Sequence, residues 1–360
     1  MNMDIFKLLQ TLTETPGPSG YETQIANVIE ELWQPYVDTI TRDRLGNLIA
    51  IKQGQGPEPR CRILLAAHMD EIGLMVREVV SYNGNGFLRL ISAGGVDIRQ
   101  LYGQLVVVHG RKNLHGVIGC LPDFMLPEER QKRSFGYDDL IVDVGLPLTD
   151  VEDLVSIGDF ISFRQPLYKL LNGRVAGKAL DNRASITAVT LCLEQLQKQT
   201  HEWDVVAVAT VQEETRLLGA FTATYEQQPD AAIAIDVTFG KGPGANNDET
   251  HELGGGPALD LGPNVHTSMF NALKRAAERI EITVHTETHT RSSGTDAYGL
   301  QIARAGIPTA IVAIPLRYMH TMVESIATKD IKRAGRLLSE FISGLDDKFL
   351  DNLAADMMEE

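Results

Sequence analysis

Two short amphipathic patterns open the chain. Residues 4–13 and 21–34 place apolar side chains at helical spacing, and Thr15-Pro16-Gly17-Pro18-Ser19-Gly20 between them is turn chemistry. Residues 38–51 read as two strands around the turn Asp43-Arg44-Leu45-Gly46-Asn47. Arg62-Ile63-Leu64-Leu65-Ala66-Ala67 then reads as a buried strand that delivers His68-Met69-Asp70 at its end. From about residue 73 to 165 the helical period disappears. Short β-like runs replace it at 87–91, 104–108, 116–120, 140–144 and 159–163, punctuated by Gly, Asp and Asn. A long helix follows at 184–197. Strands are then predicted near 204–211, 231–235, 282–286 and 308–314, and helices near 217–226, 267–279, 297–304 and 328–344. Residues 240–256 are polar and Gly-rich and read as a long surface loop bordering a site.

This order predicts an α/β sheet domain split in sequence by a β-rich insertion after its first core strand. The boundaries fall at residues 1–72 for the first part, 73–165 for the insertion and 166–360 for the second part. A length of 360 residues suits a large α/β domain plus a smaller one, and 43% hydrophobic residues make the chain globular. The formal charge of −15 argues against nucleic acid and anionic membrane as partners. No run approaches the ~18 apolar residues of a membrane span. Met1 to Lys7 lacks the basic-then-apolar pattern of a signal peptide. Cys61, Cys120 and Cys192 are widely spaced, odd in number and in apolar settings, which predicts buried reduced thiols and a cytoplasmic protein.

The chemistry gathers at strand ends. The apolar segment from Asp204 to Thr210 runs into Val211-Gln212-Glu213-Glu214, and two adjacent glutamates there are costly unless something cationic meets them. His68 and Asp70 end one strand, Asp181 sits in a Leu-Asp-Asn-Arg turn, Asp236 ends the strand at 231–235, and His320 follows the strand at 309–314. Each alone is most simply a cap or turn residue. Together they offer imidazoles and carboxylates without a thiolate, which suits two divalent cations. A two-metal hydrolytic site needs a carboxylate that bridges the ions and another that takes a proton from the attacking water.

The motifs that carry these residues are Ser19-Gly20-Tyr21-Glu22, Ala67-His68-Met69-Asp70-Glu71-Ile72-Gly73, Gly177-Lys178-Ala179-Leu180-Asp181-Asn182-Arg183, Val211-Gln212-Glu213-Glu214, Ile235-Asp236-Val237-Thr238, Gly294-Thr295-Asp296-Ala297 and Ile314-Pro315-Leu316-Arg317-Tyr318-Met319-His320. In this order the chain resembles the tetrahedral (TET) metallo-aminopeptidases, the glutamyl aminopeptidase and endoglucanase-like family, metallopeptidase family forty-two. The resemblance implies a three-layer α/β/α di-metal exopeptidase domain split by a small β-barrel-like, PDZ-like domain. It implies an aminopeptidase of short peptides holding two divalent ions per subunit, zinc or cobalt ahead of manganese. Asp181 would bridge the ions, His68 and Asp236 would complete one site, and Glu214 and His320 the other. Glu213 would be the general base acting on a metal-bridging water. Asp70 would accept from the far nitrogen of His68 and fix its tautomer. The peptide after Asp181 is expected to be cis. The inserted domain would form dimers that build a dodecamer.

Asp296, Arg317 and Arg216 are candidate substrate contacts. Arg216 departs from the family pattern, which has glycine there. It either lines the pocket and favours acidic side chains or faces solvent or a neighbouring subunit. Asp296 or Thr295 could instead cap the next helix. His285 and His289 share one face of an alternating segment and could pair on a metal, although the remaining histidines fit no ligand pattern. Three other readings stand beside the aminopeptidase. A di-metal deacylase of N-acyl amino acids would share the ligands. A glycosidase would leave His68 and His320 unused. A catalytically silent scaffold would be expected to lack a ligand or the base.

Overall fold

The computed structural model describes residues 3–126, 128–246 and 249–353. Two helices open it, α1 (Ile5–Glu14) and α2 (Thr23–Trp33). The Asp4 carboxylate accepts from the first free N–H groups of α1, those of Phe6 and Lys7. Strands β1 (Thr39–Arg42) and β2 (Leu48–Lys52) form the expected hairpin. Its turn is held by Asp43, which accepts from Leu45, Gly46 and Asn47, and Gly46 takes φ +109°. Strand β3 (Arg62–His68) is buried along almost its whole length, which is why it reads as continuous apolar sequence.

The chain then leaves the sheet for a closed six-stranded antiparallel barrel: β4 (Gly73–Tyr82), β5 (Asn85–Ala93), β6 (Leu105–His109), β7 (Asn113–Gly119), β8 (Ile141–Pro147) and β9 (Phe160–Phe163). Two features differ from expectation. Strand β4 has no counterpart in the runs read from sequence, because its outer half is largely exposed and breaks the apolar pattern. The barrel segment also carries helices, α3 (Glu128–Gln131) and α4 (Leu148–Leu154). The seven residues of α4 bury only Val151, too little to register as a helical period.

The return to the sheet runs through β10 (Tyr168–Lys169), β11 (Arg174–Gly177), α5 (Leu180–Leu196), β12 (Asp204–Thr210), α6 (Glu213–Arg216), α7 (Leu218–Gln227), β13 (Ala231–Phe239), β14 (Ala258–Leu261), α8 (Thr267–Arg279), β15 (His285–Thr288), α9 (Ala297–Gln301), β16 (Thr309–Arg317), β17 (Glu324–Ala327) and α10 (Thr328–Ser343). The sheet order is β1-β2-β12-β3-β13-β16-β17-β11-β10, with β14 on β16 and β15 on β14. Strands β12, β3, β13 and β16 are parallel, so their carboxyl ends share one edge. Strand β13 does not end before Asp236 but continues to Phe239, with Asp236 opposite Ala313 of β16. The architecture is a three-layer α/β/α domain with an inserted barrel. Helix α5 lies on β3, β13 and β16 beside α1 and α10, and α7 and α9 contact β12, β13 and β16. Of the cysteines, Cys192 is buried as expected, whereas Cys61 and Cys120 are only partly so.

The barrel has its own core, and Met322 of the sheet domain enters it. At the junction Lys178 Nζ lies 2.6 Å from Glu71 Oε2, with the two side chains 4% and 2% exposed. The other Glu71 oxygen accepts from Gly17 N–H at 3.0 Å. Removing one partner of such a pair strands a charge away from water. Lys178→Met is therefore expected to cost about 3–5 kcal/mol. The double variant Lys178→Met/Glu71→Gln should recover part of that loss, because a neutral amide can still accept from Gly17. Urea unfolding of both variants checks this, and an unaltered midpoint for Lys178→Met would refute it.

Candidate metal centre

His68, the last residue of β3, is 1% exposed. Its Nε2 lies 3.1 Å from Asp181 Oδ1 and 3.8 Å from both Asp236 Oδ1 and Glu213 Oε2. Its other ring nitrogen, Nδ1, faces the Asp70 carbonyl at 3.2 Å and Asp70 Oδ1 at 3.4 Å. Across the cleft, His320 Nε2 is 3.5 Å from Asp181 Oδ2 and 3.5 Å from Glu214 Oε2. Asp181 thus turns one carboxylate oxygen to each histidine. Two donor groups result, His68/Asp181/Asp236 and Asp181/Glu214/His320.

Local structure explains the convergence. The Asp181–Asn182 peptide is cis, the conformation the resemblance implies. Asn182 Nδ2 donates to Ile235 O at 2.9 Å, fastening the start of α5 to β13 just before Asp236. The glutamate pair sits on α6, bracketed by Gln212 and Leu217, both in the left-handed region with φ +56° and +58°. Three side chains hold that turn. Asp70 accepts from Glu213 N–H and Glu214 N–H at 3.1 Å each, Asn47 from Val211 N–H and Glu22 from Gln212 N–H. Asp70 therefore fixes His68 and the glutamates together.

Sequence reasoning missed Glu324 of β17. Its carboxylate accepts from Asp181 N–H at 3.0 Å and from His320 N–H at 2.9 Å, so one buried side chain aligns two donors. No signal in the sequence marked it, because Glu324 opens the short strand β17 and acts only on backbone N–H groups. It missed the barrel as well: His320 Nδ1 faces Gly95 O at 3.1 Å, and a Cβ on Gly95 would lie 2.7 Å from that nitrogen. Behind the centre Arg183 is wholly buried near Glu71, Asp70 and Glu22, and burial pulls its pKa down to about 10.

The remaining candidates divide. Arg216 is exposed and lines the cleft, which encloses about 430 Å³. Asp296 is buried, does not line the cleft, and accepts from Thr210 Oγ1; Thr295 rather than Asp296 accepts from the helical Ala297 N–H. Arg317 also stays off the cleft wall and donates to Lys241 O. The far wall of the cleft carries Asp260, Glu287 and His289.

Electrostatics show what the centre demands. Burial pushes Glu214 up to about 8, reinforced by the Asp181 charge. Burial likewise drives Glu213 and Asp236 well above the usual carboxylate range. Burial opposes ionisation of Asp181 too, but hydrogen bonds from His320 and His68 outweigh it and lower its pKa. The hydrogen bond to Asp181 raises His320 to about 9. Carboxylates outnumber imidazoles, so the site lacks positive charge. Nitrogen and oxygen donors at these spacings fit divalent cations.

A family model described as M42 glutamyl aminopeptidase matches residues 46–337. A lysyl aminopeptidase from Pyrococcus furiosus is 36% identical over 344 residues, 93% of this chain and 97% of that one. The crystal structure of a TET aminopeptidase from the marine sediment archaeon Thaumarchaeota archaeon SCGC AB-539-E09 superposes with a TM-score of 0.89 at 30% identity, covering 97% of this chain and 98% of the other. The TET1 peptidase of Pyrococcus horikoshii, described as assembling into a tetrahedron or a large octahedral shell, gives 0.82 at 30% identity over 95% of this chain and all of its own (100%).

A pH dependence follows from the excess of carboxylates. With its pKa raised in the fold, Glu214 keeps a proton that the unfolded chain releases above 4.5, so its contribution fades as pH climbs towards about 8. His320 contributes fully below 6.5 and loses that contribution as pH passes about 9. Asp181 acts in the opposite sense, but only in acid below 3.8. The melting temperature of chelator-stripped protein should therefore fall between about pH 5 and pH 9, and saturating cobalt should flatten the slope. Thermal melts across that range check this; a rising profile without metal would contradict it.

Proposed function

We propose, because this chain belongs to the M42 glutamyl aminopeptidase family and is an aminopeptidase, that its activity runs through two divalent cations bridged by Asp181. The observation that carries this reading is the Asp181 carboxylate, whose oxygens face His68 on one strand and His320 beyond another. His68 and Asp236 would hold one ion, and Glu214 and His320 the other. Zinc or cobalt suits the donors best, with manganese third. Bound there, the pair would polarise the first peptide carbonyl and acidify the attacking water.

The protein's own residues supply the rest. Glu213 belongs to neither donor group, yet its Oε2 lies 3.8 Å from His68 Nε2 and faces the same space. It takes the proton from the attacking water at that oxygen and passes it to the leaving amine nitrogen. Asp70 positions both His68 and Glu213 and needs no contact with substrate. A wall rich in carboxylates favours a free amino terminus over an acylated one, which ranks the aminopeptidase above the deacylase. The ligands and the base are all present, which ranks it above a silent scaffold.

Self-association fits the same reading. The barrel segment exposes Tyr102, Leu105, Leu121, Phe124 and Met125, the last two 83% and 58% exposed. Apolar exposure of this kind marks contact surfaces. Dimers formed through the barrel and built up to a dodecamer would admit only short or unfolded peptides, and the cytoplasm is the compartment that reading suits. Phe124→Asp with Met125→Asp should lower the mass measured by light scattering. An unchanged mass would remove this face from the assembly.

The chemistry is tested on amino-acid p-nitroanilides and their N-acetyl counterparts, with stripped protein re-loaded with zinc, cobalt or manganese. Re-loaded wild type should cleave the free-amine set and leave the acetylated set intact. Glu213→Gln should bind the same amount of metal while kcat falls by about 10²–10⁴-fold. Full activity in Glu213→Gln would remove it as the base, and cleavage of acetylated substrates alone would favour the deacylase.

A further inference from the structure

The far wall of the cleft poses a separate problem in electrostatics. Strands β14 and β15 pair in parallel with Asp260 directly beside Glu287. Like charges in register across a strand pair destabilise it. His289 follows two residues after Glu287 and so points to the same side. Its Nε2 lies 3.1 Å from Asp260 Oδ2 and 3.5 Å from Glu287 Oε1. Thr238 Oγ1 donates to Glu287 Oε1 at 2.8 Å and fixes that carboxylate. His251, stacked on His285, brings its Nε2 to 3.4 Å from Glu287 Oε2.

The internal hydrogen bonds do not complete this cluster. Asp260 is 2% exposed, yet its Oδ1 has no hydrogen-bond partner among the described residues. Glu287 Oε2 and His251 Nε2, both buried, meet each other at 3.4 Å. A buried polar atom left without a partner is costly, and Asp260, Glu287 and His289 all line the cleft.

We propose that Asp260, Glu287 and His289 form a third divalent-cation site, distinct from the pair bridged by Asp181 and independent of that reading. Donor spacing selects the ligand. Three donors bound at ~2.1 Å around one tetrahedral ion lie roughly 3.4 Å apart. An ammonium that donates at ~2.8 Å spreads its acceptors to roughly 4.6 Å. The distances of 3.1 and 3.5 Å match the ion, and they fall within the 3.1–3.8 Å range found between donors around Asp181. One imidazole and two carboxylates without a thiolate favour zinc, cobalt or manganese. Three protein donors would leave further coordination positions open, and the three residues line the cleft.

Cobalt binding measures the site directly. Stripped wild type, His289→Ala, Asp260→Asn and Glu287→Gln are dialysed against Co²⁺, and bound metal is counted by mass spectrometry after circular dichroism confirms folding. His289 is 30% exposed at its side chain, and the two amide variants are near-isosteric, so at least one is expected to fold. Each folded variant should hold one ion fewer per subunit than wild type. Equal counts would overturn the proposal. Equal counts together with a loss confined to lysine p-nitroanilide would make the wall a subsite for basic side chains instead. Because the difference from wild type carries the result, a wild-type count that refutes the Asp181-bridged pair would leave this comparison interpretable.

Discussion

Negative charge gathered at one edge of a parallel sheet governs this protein. Strands β3, β12, β13 and β16 must be apolar to be buried on both faces, so polar chemistry is pushed to their carboxyl ends. There Asp70, Asp181, Glu213, Glu214 and Asp236 surround only two imidazoles. Burial disfavours every one of those charges, and only Asp70 and Asp181 have pKa values lowered by their histidines. The fold therefore carries a standing demand for cations, which the metal ions of a metallo-aminopeptidase meet.

That demand makes the geometry around Glu213 and Glu214 costly to hold. Gln212 and Leu217 both take left-handed backbone conformations that a side chain disfavours by about 1–3 kcal/mol each. Neither is glycine, and the first of them is held from outside the turn. Asn47 of the first hairpin, Glu22 just before α2 and Asp70 just after β3 accept from the backbone N–H groups of residues 211–214. Three segments far apart in sequence thus converge on four residues. These supporting acceptors lie behind the cleft, and none of the three lines its wall.

What could be read in the sequence follows from the same physics. Buried parallel strands announce themselves as unbroken apolar runs, so β3, β12 and β16, and the polar residues that end them, were legible. Asp236 misled because a carboxylate in an apolar strand looks like its end, although β13 continues for three more residues. Strand β4 lies half in solvent and lost its pattern. Glu324 was invisible because its role is to accept from the backbones of Asp181 and His320, and sequence carries no record of which N–H groups need an acceptor. Asp260 and Glu287 were missed for a related reason. They lie far apart in sequence, and only the pairing of β14 with β15 makes neighbours of them.

The barrel is more than an insertion tolerated by the sheet. It enters after β3 and returns before Asp181, so the segments that carry His68 and Asp181 are also its two roots. The buried Glu71–Lys178 pair joins those roots three residues from His68 and from Asp181. The barrel also supplies the Gly95 carbonyl that faces His320 Nδ1, and no side chain could occupy that position without displacing the imidazole. A hydrogen bond of that kind selects which ring nitrogen carries the proton and leaves Nε2 facing Asp181 and Glu214. A rotation of the barrel relative to the sheet would therefore move the His320 ring. Contacts made on the barrel's exposed apolar residues would bear on His320 through this link, because that surface and the Gly95 carbonyl belong to the same inserted domain.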